Sequence, residues 1–182
     1  MAKTRLMFSG SGGQGVITAG IILAETAVLY EGLNAVQSQS YGAEARGGAT
    51  RSDVIISDAP IHFPKIVQPN VLVCLTQTAY TKYLPSLRPG GLLITDSRWV
   101  HIEKTVDARR YELPLTDTVS EKMGNLVVLN ICMLGAVVLL TGVVSPEAVK
   151  KVIRERVPKN FIELNASAFD LGFDLAQNLA IS

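Results

Sequence analysis

The sequence predicts an α/β protein, arranged as a three-layer α/β/α sandwich with a largely parallel or mixed sheet. Short apolar runs alternate with helical segments along the chain, as in folds whose strands are connected by helices. A glycine-rich turn between the first apolar run and an Ala-rich segment predicts a Rossmann-like strand–turn–helix unit. The length of 182 residues suits a substantial core, and we expect a single domain over 1–182.

The first half of the chain alternates strands with one helix. Gly32 suits the left-handed position that ends a helix, and two prolines after residue 60 disfavour regular structure. In order, we predict a strand around Arg5–Phe8, a helix over Val16–Tyr30, strands at Asn34–Ser38 and Ala49–Ser57, a turn at Asp58–Pro60 and an irregular segment over Ile61–Pro69.

Two continuous apolar runs in the second half predict strands that are buried on both faces. These are Val71–Leu75 and Leu92–Thr95. A short helix begins between them at Thr76 or Gln77 and ends near Pro85. The next elements are an edge strand at Arg109–Leu113 and a short helix over Leu115–Met123.

The run Leu126–Val144 contains 19 residues and is nearly uncharged, near the lower length limit for a membrane-spanning helix. Asn130 and Gly135 interrupt it, so we predict a buried helix and no membrane span. Ser145 then suits an N-cap with proline at the first helical position, and this helix runs to about Arg156. A last helix is predicted over Lys159–Leu179.

The predicted first turn has the spacing G-x-G-x-x-G, with Gly13 and Gln14 between the last two motif glycines. The motif glycines are Gly10, Gly12 and Gly15. This spacing fits a plain structural turn and fits equally a loop that contacts a ligand or another backbone. A dinucleotide site also expects an acidic residue about 20 positions on, but the second strand ends in Gln39 and Ser40.

A second polar loop, residues 39–48, is long for a connection, and such loops are more often functional. Its candidate contact residues are Tyr41, Arg46, Gly47 and Gly48. Arg46 is flanked by small residues and could pair bidentately with a carboxylate or a phosphate. An internal clamp to Glu44 or to a backbone carbonyl is an equal alternative.

Composition and net charge indicate which kinds of partner the chain could have. Hydrophobic residues make up 48% and charged residues 18%, below the usual charged content of about 25%. A well-buried sheet explains this, as does a surface covered by a partner, which we favour. The net charge of +1 indicates neither nucleic acid nor an anionic membrane surface as the partner.

No catalytic or metal-binding signature is present. Cys74 and Cys132 are the only cysteines, so this chain alone cannot build an iron–sulfur or zinc site. We expect both to be buried core residues in a reducing cytoplasm. His62 suits loop packing and His101 an exposed position. A strand that begins by residue 5 leaves no room for a signal peptide.

Four segments together resemble the gamma subunit of 2-oxoacid:ferredoxin (acceptor) oxidoreductases, which corresponds to one domain of single-chain pyruvate:ferredoxin oxidoreductase. The resemblance covers nearly the whole chain. The segments are Gly10–Gly15, Ser40–Gly48 with the following Val54–Ser57, Gly124–Ala136 and Thr141–Glu147.

The resemblance implies a cytoplasmic subunit that is inactive alone, in an enzyme that oxidatively decarboxylates a 2-oxoacid and forms an acyl-CoA. Thiamine diphosphate, Mg²⁺ and iron–sulfur clusters would belong to partner alpha, beta and ferredoxin-like delta subunits. Electrons would pass to ferredoxin or another acceptor. The two glycine loops would face the catalytic partner or the CoA cleft.

Substrate and mode of action stay open. Similarity in length and in the Met/Gly-Ala-rich helix favours the 2-oxoglutarate branch of the family, which forms succinyl-CoA, over the branches for pyruvate or another 2-oxoacid. Ala43 and Ala45 stand where the family often has proline or bulkier residues. The alternatives are a free-standing NAD(P)-binding protein, with Arg46 on a 2′-phosphate, and a purely structural interaction module.

Overall fold

A computed structural model describes residues 3–40, 48–102 and 106–180. Within these ranges the chain forms one six-stranded sheet. The strands are Thr4–Gly10 (β1), Asn34–Ser40 (β2), Thr50–Ser57 (β3), Val71–Cys74 (β4), Gly91–Asp96 (β5) and Ala108–Leu113 (β6).

Six α-helices lie within the described ranges: Val16–Tyr30 (α1), Gln77–Tyr83 (α2), Leu115–Met123 (α3), Leu129–Thr141 (α4), Pro146–Arg156 (α5) and Ile162–Ala180 (α6). Local signals set their ends. The Thr76 hydroxyl accepts the N–H of Ala79 at the start of α2, and Ser145 caps α5 in the same way. The predicted bounds of α1 and α3 agree with the structure.

The strand order is β2-β3-β1-β4-β5-β6. Strands β1, β4, β5 and β6 are parallel, whereas β3 runs antiparallel to both of its neighbours, β1 and β2. The predicted α/β fold with a mixed sheet is confirmed, as is the edge position of β6. The first strand–turn–helix unit is also present, but β3 separates β1 from β2, which are adjacent in the Rossmann arrangement.

Helices cover the two faces of the sheet unevenly. Helices α1, α3, α4, α5 and α6 pack on one face, over strand residues such as Phe8, Val73 and Ile94. We call this the main face. The opposite face carries a smaller core around Tyr80 and Tyr83 of α2. Here one short helix and irregular segments form the third layer.

Helices α4 and α6 pack almost backbone to backbone. A Cβ atom added at Gly172 of α6 would lie 1.7 Å from the carbonyl oxygen of Cys132, and one at Gly135 of α4 would lie 2.1 Å from that of Phe169. Both positions therefore require glycine for close approach.

The apolar run is buried from Val128 to Val138 as predicted, whereas Leu126 and Val127 are exposed, and the single long helix that we predicted over Leu126–Val144 is wrong. The run opens with a 3-10 turn over Leu126–Val128, whose Val127 N–H is accepted by the Asn125 side chain at 2.9 Å. Helix α4 then ends at Gly142, which has a φ of 58°. Among the described residues, no helix has both the length and the apolar content needed to cross a membrane.

Candidate functional site

The two predicted glycine loops leave the sheet at the same edge. Gly10, the last residue of β1, pairs with Thr50 at the start of β3, and Ser40 at the end of β2 pairs with Arg51. Gly48 is partly exposed just before β3. The other candidates in this loop, Tyr41, Arg46 and Gly47, lie outside the described residues, as does Glu44.

The first turn depends on its glycines for two different reasons. Gly13 and Gly15 have φ values of 87° and 72°, in the left-handed region where side chains are strained. A Cβ atom at Gly10 would lie 2.4 Å from Oε1 of Gln14. The turn and the side chain of Gln14 therefore fit together as one unit.

Gln14 holds the turn closed. Its side-chain Oε1 accepts a hydrogen bond from the backbone N–H of Ser11 at 2.7 Å, and its backbone N–H donates to the Ser11 carbonyl at 3.3 Å. The oxygen of the side-chain amide is therefore used inside the turn. The amide nitrogen has no acceptor within the described part of the chain and lines a cleft.

Neither the backbone angle nor neighbouring atoms of its own chain require glycine at position 12. It is exposed, its φ is not positive, and no heavy atom lies within 4 Å of the place where its Cβ would be. A glycine here leaves backbone uncovered at the tip of the turn, which is what close approach by another molecule needs.

The turn lies at a topological switch point of the sheet. After β1 the chain enters α1 on the main face, whereas after the neighbouring parallel strand β4 it enters α2 on the opposite face. Such divergence opens a crevice at the carboxyl ends of the strands, which is where open α/β sheets bind ligands.

A cleft of about 480 Å³ occupies this crevice, within the size range of small-molecule sites. We call it the carboxyl-end cleft. Its lining is more apolar than polar and consists of Ser11, Gly13, Gln14, Thr76, Gln77, Trp99, Thr116, Leu126 and Leu129. A second cleft of about 360 Å³ lies across the turn and reaches Thr50. The glycine turn is therefore a ridge between two clefts.

A network below the cleft fixes its aromatic wall. The indole N–H of Trp99 donates to the Thr116 hydroxyl at 3.2 Å. That hydroxyl and the Thr116 backbone N–H both donate to the carboxylate of Asp96 at the end of β5. Trp99 remains 49% exposed and lines the cleft, so the cleft has an aromatic side chain that is held in place by a hydrogen bond.

Asp96 has a structural part in this network. It is fully buried and does not line the cleft. Burial raises its pKa, against hydrogen bonds from Thr116 and from the N–H of Arg98 that lower it. Because Asp96 accepts the Thr116 N–H in the first turn of α3, it substitutes for the side-chain cap that α3 lacks.

Sequence reasoning missed Trp99, Thr116 and Asp96 as site residues. A signal was available, because Asp96 directly follows the predicted strand Leu92–Thr95 and Thr116 follows the predicted strand Arg109–Leu113, and the carboxyl ends of parallel strands lie at the same end of a sheet. His101 is exposed as predicted. His62 is exposed too, so the prediction that it packs within its loop is wrong.

The residues present do not fit an iron–sulfur cluster. Cys74 and Cys132 are both buried, as predicted, and burial raises the pKa of each thiol to about 12, so neither is the thiolate that a cluster needs. The described residues contain no group of three or more His, Cys, Asp or Glu that could hold a metal ion. No carboxylate lines the carboxyl-end cleft, so a magnesium diphosphate group would find no acidic ligand there.

A dinucleotide fits the site poorly. Strand β3 lies between β1 and β2, which moves the end of β2 about 10 Å from the turn instead of about 5 Å. Gln39 and Ser40 end that strand, so the position that would bind a ribose holds no acid and is displaced.

Comparison with known proteins gives one family. The model of the pyruvate ferredoxin/flavodoxin oxidoreductase family matches residues 5–175. The 2-oxoglutarate synthase subunit KorC of Methanocaldococcus jannaschii is 46% identical over 179 residues, covering 97% of this chain and 96% of the relative. The common gamma subunit of the pyruvate and ketoisovalerate oxidoreductases of Thermococcus litoralis is 31% identical over 176 residues, covering 93% and 95% of the two chains.

A solved structure shows the same fold. The gamma subunit of a keto/oxoacid ferredoxin oxidoreductase from Geobacter sulfurreducens superposes with a TM-score of 0.90 at 45% identity, covering 98% of each chain. The similarity therefore extends over the whole described sheet and its helices.

Proposed function

We propose, because this chain belongs to the pyruvate ferredoxin/flavodoxin oxidoreductase family, that it is the gamma subunit of an enzyme that converts 2-oxoglutarate and CoA to succinyl-CoA. The chain is a subunit of a multi-subunit 2-oxoacid oxidoreductase. The identity of 46% to a 2-oxoglutarate synthase subunit, against 31% to a subunit shared by pyruvate and ketoisovalerate enzymes, supports 2-oxoglutarate as the substrate.

The role that we assign to the chain is to form one wall of the active-site or CoA cleft. The observation that carries this proposal is the glycine turn, which stands between two clefts with Gly12 uncovered at its tip. Gly10, Gly13, Gln14 and Gly15 shape the turn. Gly48 and the loop residues Tyr41, Arg46 and Gly47 would extend the contact surface, since β2 and β3 bring their loop to this edge.

Three chemical features of the two clefts beside the turn suit CoA or a partner chain. The exposed ring of Trp99 and the side chain of Leu126 offer apolar surface. Thr76 and Gln77 offer polar groups in the carboxyl-end cleft. The start of α1 lines the second cleft and offers backbone N–H groups there, which favour anions. This combination of apolar walls and a few polar groups is typical of binding sites.

Catalysis would come from the rest of the complex. We propose that alpha, beta and ferredoxin-like delta subunits hold thiamine diphosphate, Mg²⁺ and the iron–sulfur clusters, and that the complex works in the cytoplasm with ferredoxin or another low-potential acceptor. Thiamine diphosphate supplies a carbanion-stabilising centre. The part of this chain is to exclude water, orient CoA and hold the partner subunits.

The test is to purify the native complex through a tag on this chain and to identify its subunits by mass. Turnover is then compared for 2-oxoglutarate, pyruvate and 2-oxoisovalerate, with CoA and a low-potential dye. We expect a kcat/KM for 2-oxoglutarate that is about tenfold or more above the others, since a site that pairs a second carboxylate discriminates strongly, and no turnover by this chain alone. A preference for another 2-oxoacid would contradict the substrate, and recovery of the chain without partners would contradict the role.

A further inference from the structure

The end of the sheet opposite to the cleft, where the parallel strands begin, carries a patch of unpaired positive charge. Two hollows of about 520 and 340 Å³ lie at the amino ends of the parallel strands and share Arg88 as a wall. The larger hollow adds Arg5 and Lys65, and the smaller adds Arg109. We call Arg5, Lys65 and Arg88, with Phe63 and Val67 beside them, the amino-end patch.

None of these cations has an acidic partner within the described part of the chain. Other arginines there are neutralised, for example Arg51 by Asp53 and Arg156 by Glu25. No carboxylate lines either hollow. The chain as a whole has a net charge of only +1, so the four cations around the hollows, without a carboxylate among them, form a local patch of positive charge.

The backbone holds two of the cations in fixed positions. The N–H of Arg5 donates to the side-chain oxygen of Asn70 at 2.9 Å, and the N–H of Asn70 donates back to the Arg5 carbonyl at 2.8 Å. The N–H of Arg88 donates to the Pro69 carbonyl at 3.2 Å. The segment 69–70 thus fixes the backbones of Arg5 and Arg88 beside each other, which lowers the entropic cost of binding an anionic group between them.

Exposed apolar side chains adjoin the cations. Phe63 is 60% and Val67 is 72% exposed, whereas Ile66 between them is buried. The Ile66 carbonyl also accepts a hydrogen bond from the Arg51 guanidinium at 3.1 Å. The segment is therefore anchored through Ile66 and presents Phe63 and Val67 outward, and aromatic residues are enriched in protein interfaces.

The position favours a polypeptide over a small anion as the occupant. Ligands of open α/β sheets bind at the carboxyl ends of the strands, and this patch lies at the amino ends. The carboxyl-terminal residues Leu140 and Thr141 of α4 line the smaller hollow, and the negative end of a helix disfavours an anion. The larger hollow, with Phe63 and Val67, has no such helix end in its lining.

We propose that the amino-end patch docks an acidic segment of another subunit of the complex, with carboxylates on Arg5, Lys65 and Arg88 and an apolar side chain against Phe63 and Val67. This inference rests on the multi-subunit assembly but not on the role of the carboxyl-end cleft. Charge complementarity would here fix the register of the partner and accelerate its association.

Zero-length cross-linking with a carbodiimide tests the contact directly in the native complex. The reagent joins an amine to a carboxylate that it touches, so we expect Lys65 in an amide bond to an Asp or Glu of another subunit, identified by peptide mass. The variant Lys65→Arg keeps the charge and removes the reactive amine, so it should assemble and lose only this cross-link. A cross-link from Lys65 of the wild type to its own chain only, or none, would overturn the proposal.

Charge reversal gives the second readout. The variant Arg5→Glu/Arg88→Glu should weaken association by about tenfold or more, because like charges then face each other, and its complex should dissociate at lower salt. The matched control is Arg154→Glu/Lys159→Glu, which makes the same charge change at exposed positions elsewhere and should assemble like wild type.

The outcomes separate this inference from the proposed function. A complex that forms and prefers 2-oxoglutarate, but whose salt sensitivity is the same in wild type and Arg5→Glu/Arg88→Glu, would contradict the patch alone. Binding of inorganic pyrophosphate that depends on Arg88, in a complex whose assembly does not, would replace the polypeptide by a small anion and would also contradict it.

Discussion

Asn130 of α4 donates from Nδ2 to the carbonyl oxygen of Gly15, 3.3 Å away and 115 positions earlier in the chain. The same side chain fills the space next to Gly15, where an added Cβ would lie 2.6 Å from Nδ2. The contact joins the glycine turn to the most buried helix of the main face. The turn is therefore positioned by the core and is not a free loop.

Replacing Gly15 by alanine should destabilise the isolated chain more than replacing Gly13. Both glycines have positive φ values, so each alanine carries backbone strain of about 1–3 kcal/mol. Only Gly15→Ala adds the collision with Asn130, whereas Gly13 has open space around it. Urea unfolding measures both free energies of unfolding, and equal losses would contradict the contact with Asn130.

Close packing of α4 on α6 makes a second stability prediction. In Gly172→Ala the new methyl group would meet the carbonyl oxygen of Cys132, which belongs to the backbone and cannot move aside alone. We expect a loss of at least about 1–3 kcal/mol in the free energy of unfolding. Gly142→Ala is the control for glycine replacement, because Gly142 has a positive φ but open surroundings. If Gly172→Ala lost no more free energy of unfolding than Gly142→Ala, α4 and α6 would be further apart than the structure shows.

Asp96 should make stability fall as pH rises. Its folded-state pKa is raised by burial, so between the ordinary pKa of 3.8 and the raised pKa the folded chain binds more protons than the unfolded chain. The free energy of unfolding then decreases with pH through this window. In Asp96→Asn the amide oxygen can still accept from Thr116, and this slope should be absent.

The pH test compares wild type with Asp96→Asn, because other carboxyl groups make stability rise with pH. The pKa of Glu25 is lowered by its hydrogen bonds from Arg156, and that of Glu31 by hydrogen bonds from the side chain and the backbone N–H of Ser145. Both residues therefore contribute stability that is lost as pH falls below 4.5. Subtracting the Asp96→Asn curve from the wild-type curve removes these contributions. Curves that stay parallel from about pH 4 upward would contradict a raised pKa for Asp96.

Arg46→Ala should leave the isolated chain folded and impair the complex. Its loop connects the end of β2 to the start of β3. An arginine among small residues can reach a carboxylate or phosphate. We expect weaker assembly or a raised KM for CoA in the reconstituted complex. Arg154→Ala, at an exposed site on α5, is the control. Normal assembly and kinetics would leave Arg46 as an internal clamp.

Much of the fold could be predicted because its signals are local. The bounds of α1, α3 and α5 follow from the turn glycines, Gly124 and the Ser145–Pro146 start. The end of the apolar run could not be placed as well. Uniform hydrophobicity from Leu126 to Val144 hides the change from a 3-10 turn to α4, which Asn125 and Gly142 set through hydrogen bonding and backbone angle.

The site was harder to predict because contacts between distant residues form it. The glycine motif identifies the ridge, yet the cleft beside it needs Trp99 and Thr116, which meet the turn only through the order of strands in the sheet. The antiparallel insertion of β3 between β1 and β2 is likewise a matter of strand pairing. No local pattern encodes these pairings.

The most direct test of the central claim is Gly12→Val, measured both in the isolated chain and in the complex. No group of its own chain lies near this position, so the free energy of unfolding should stay within about 0.5 kcal/mol of wild type. A partner or CoA that approaches the bare backbone would collide with the side chain, and a collision of about 1–3 kcal/mol should lower assembly or raise the KM for CoA by about tenfold. Ser167→Val, at an exposed site on α6, should change neither. Wild-type assembly and kinetics for Gly12→Val would show that the turn faces neither partner nor substrate.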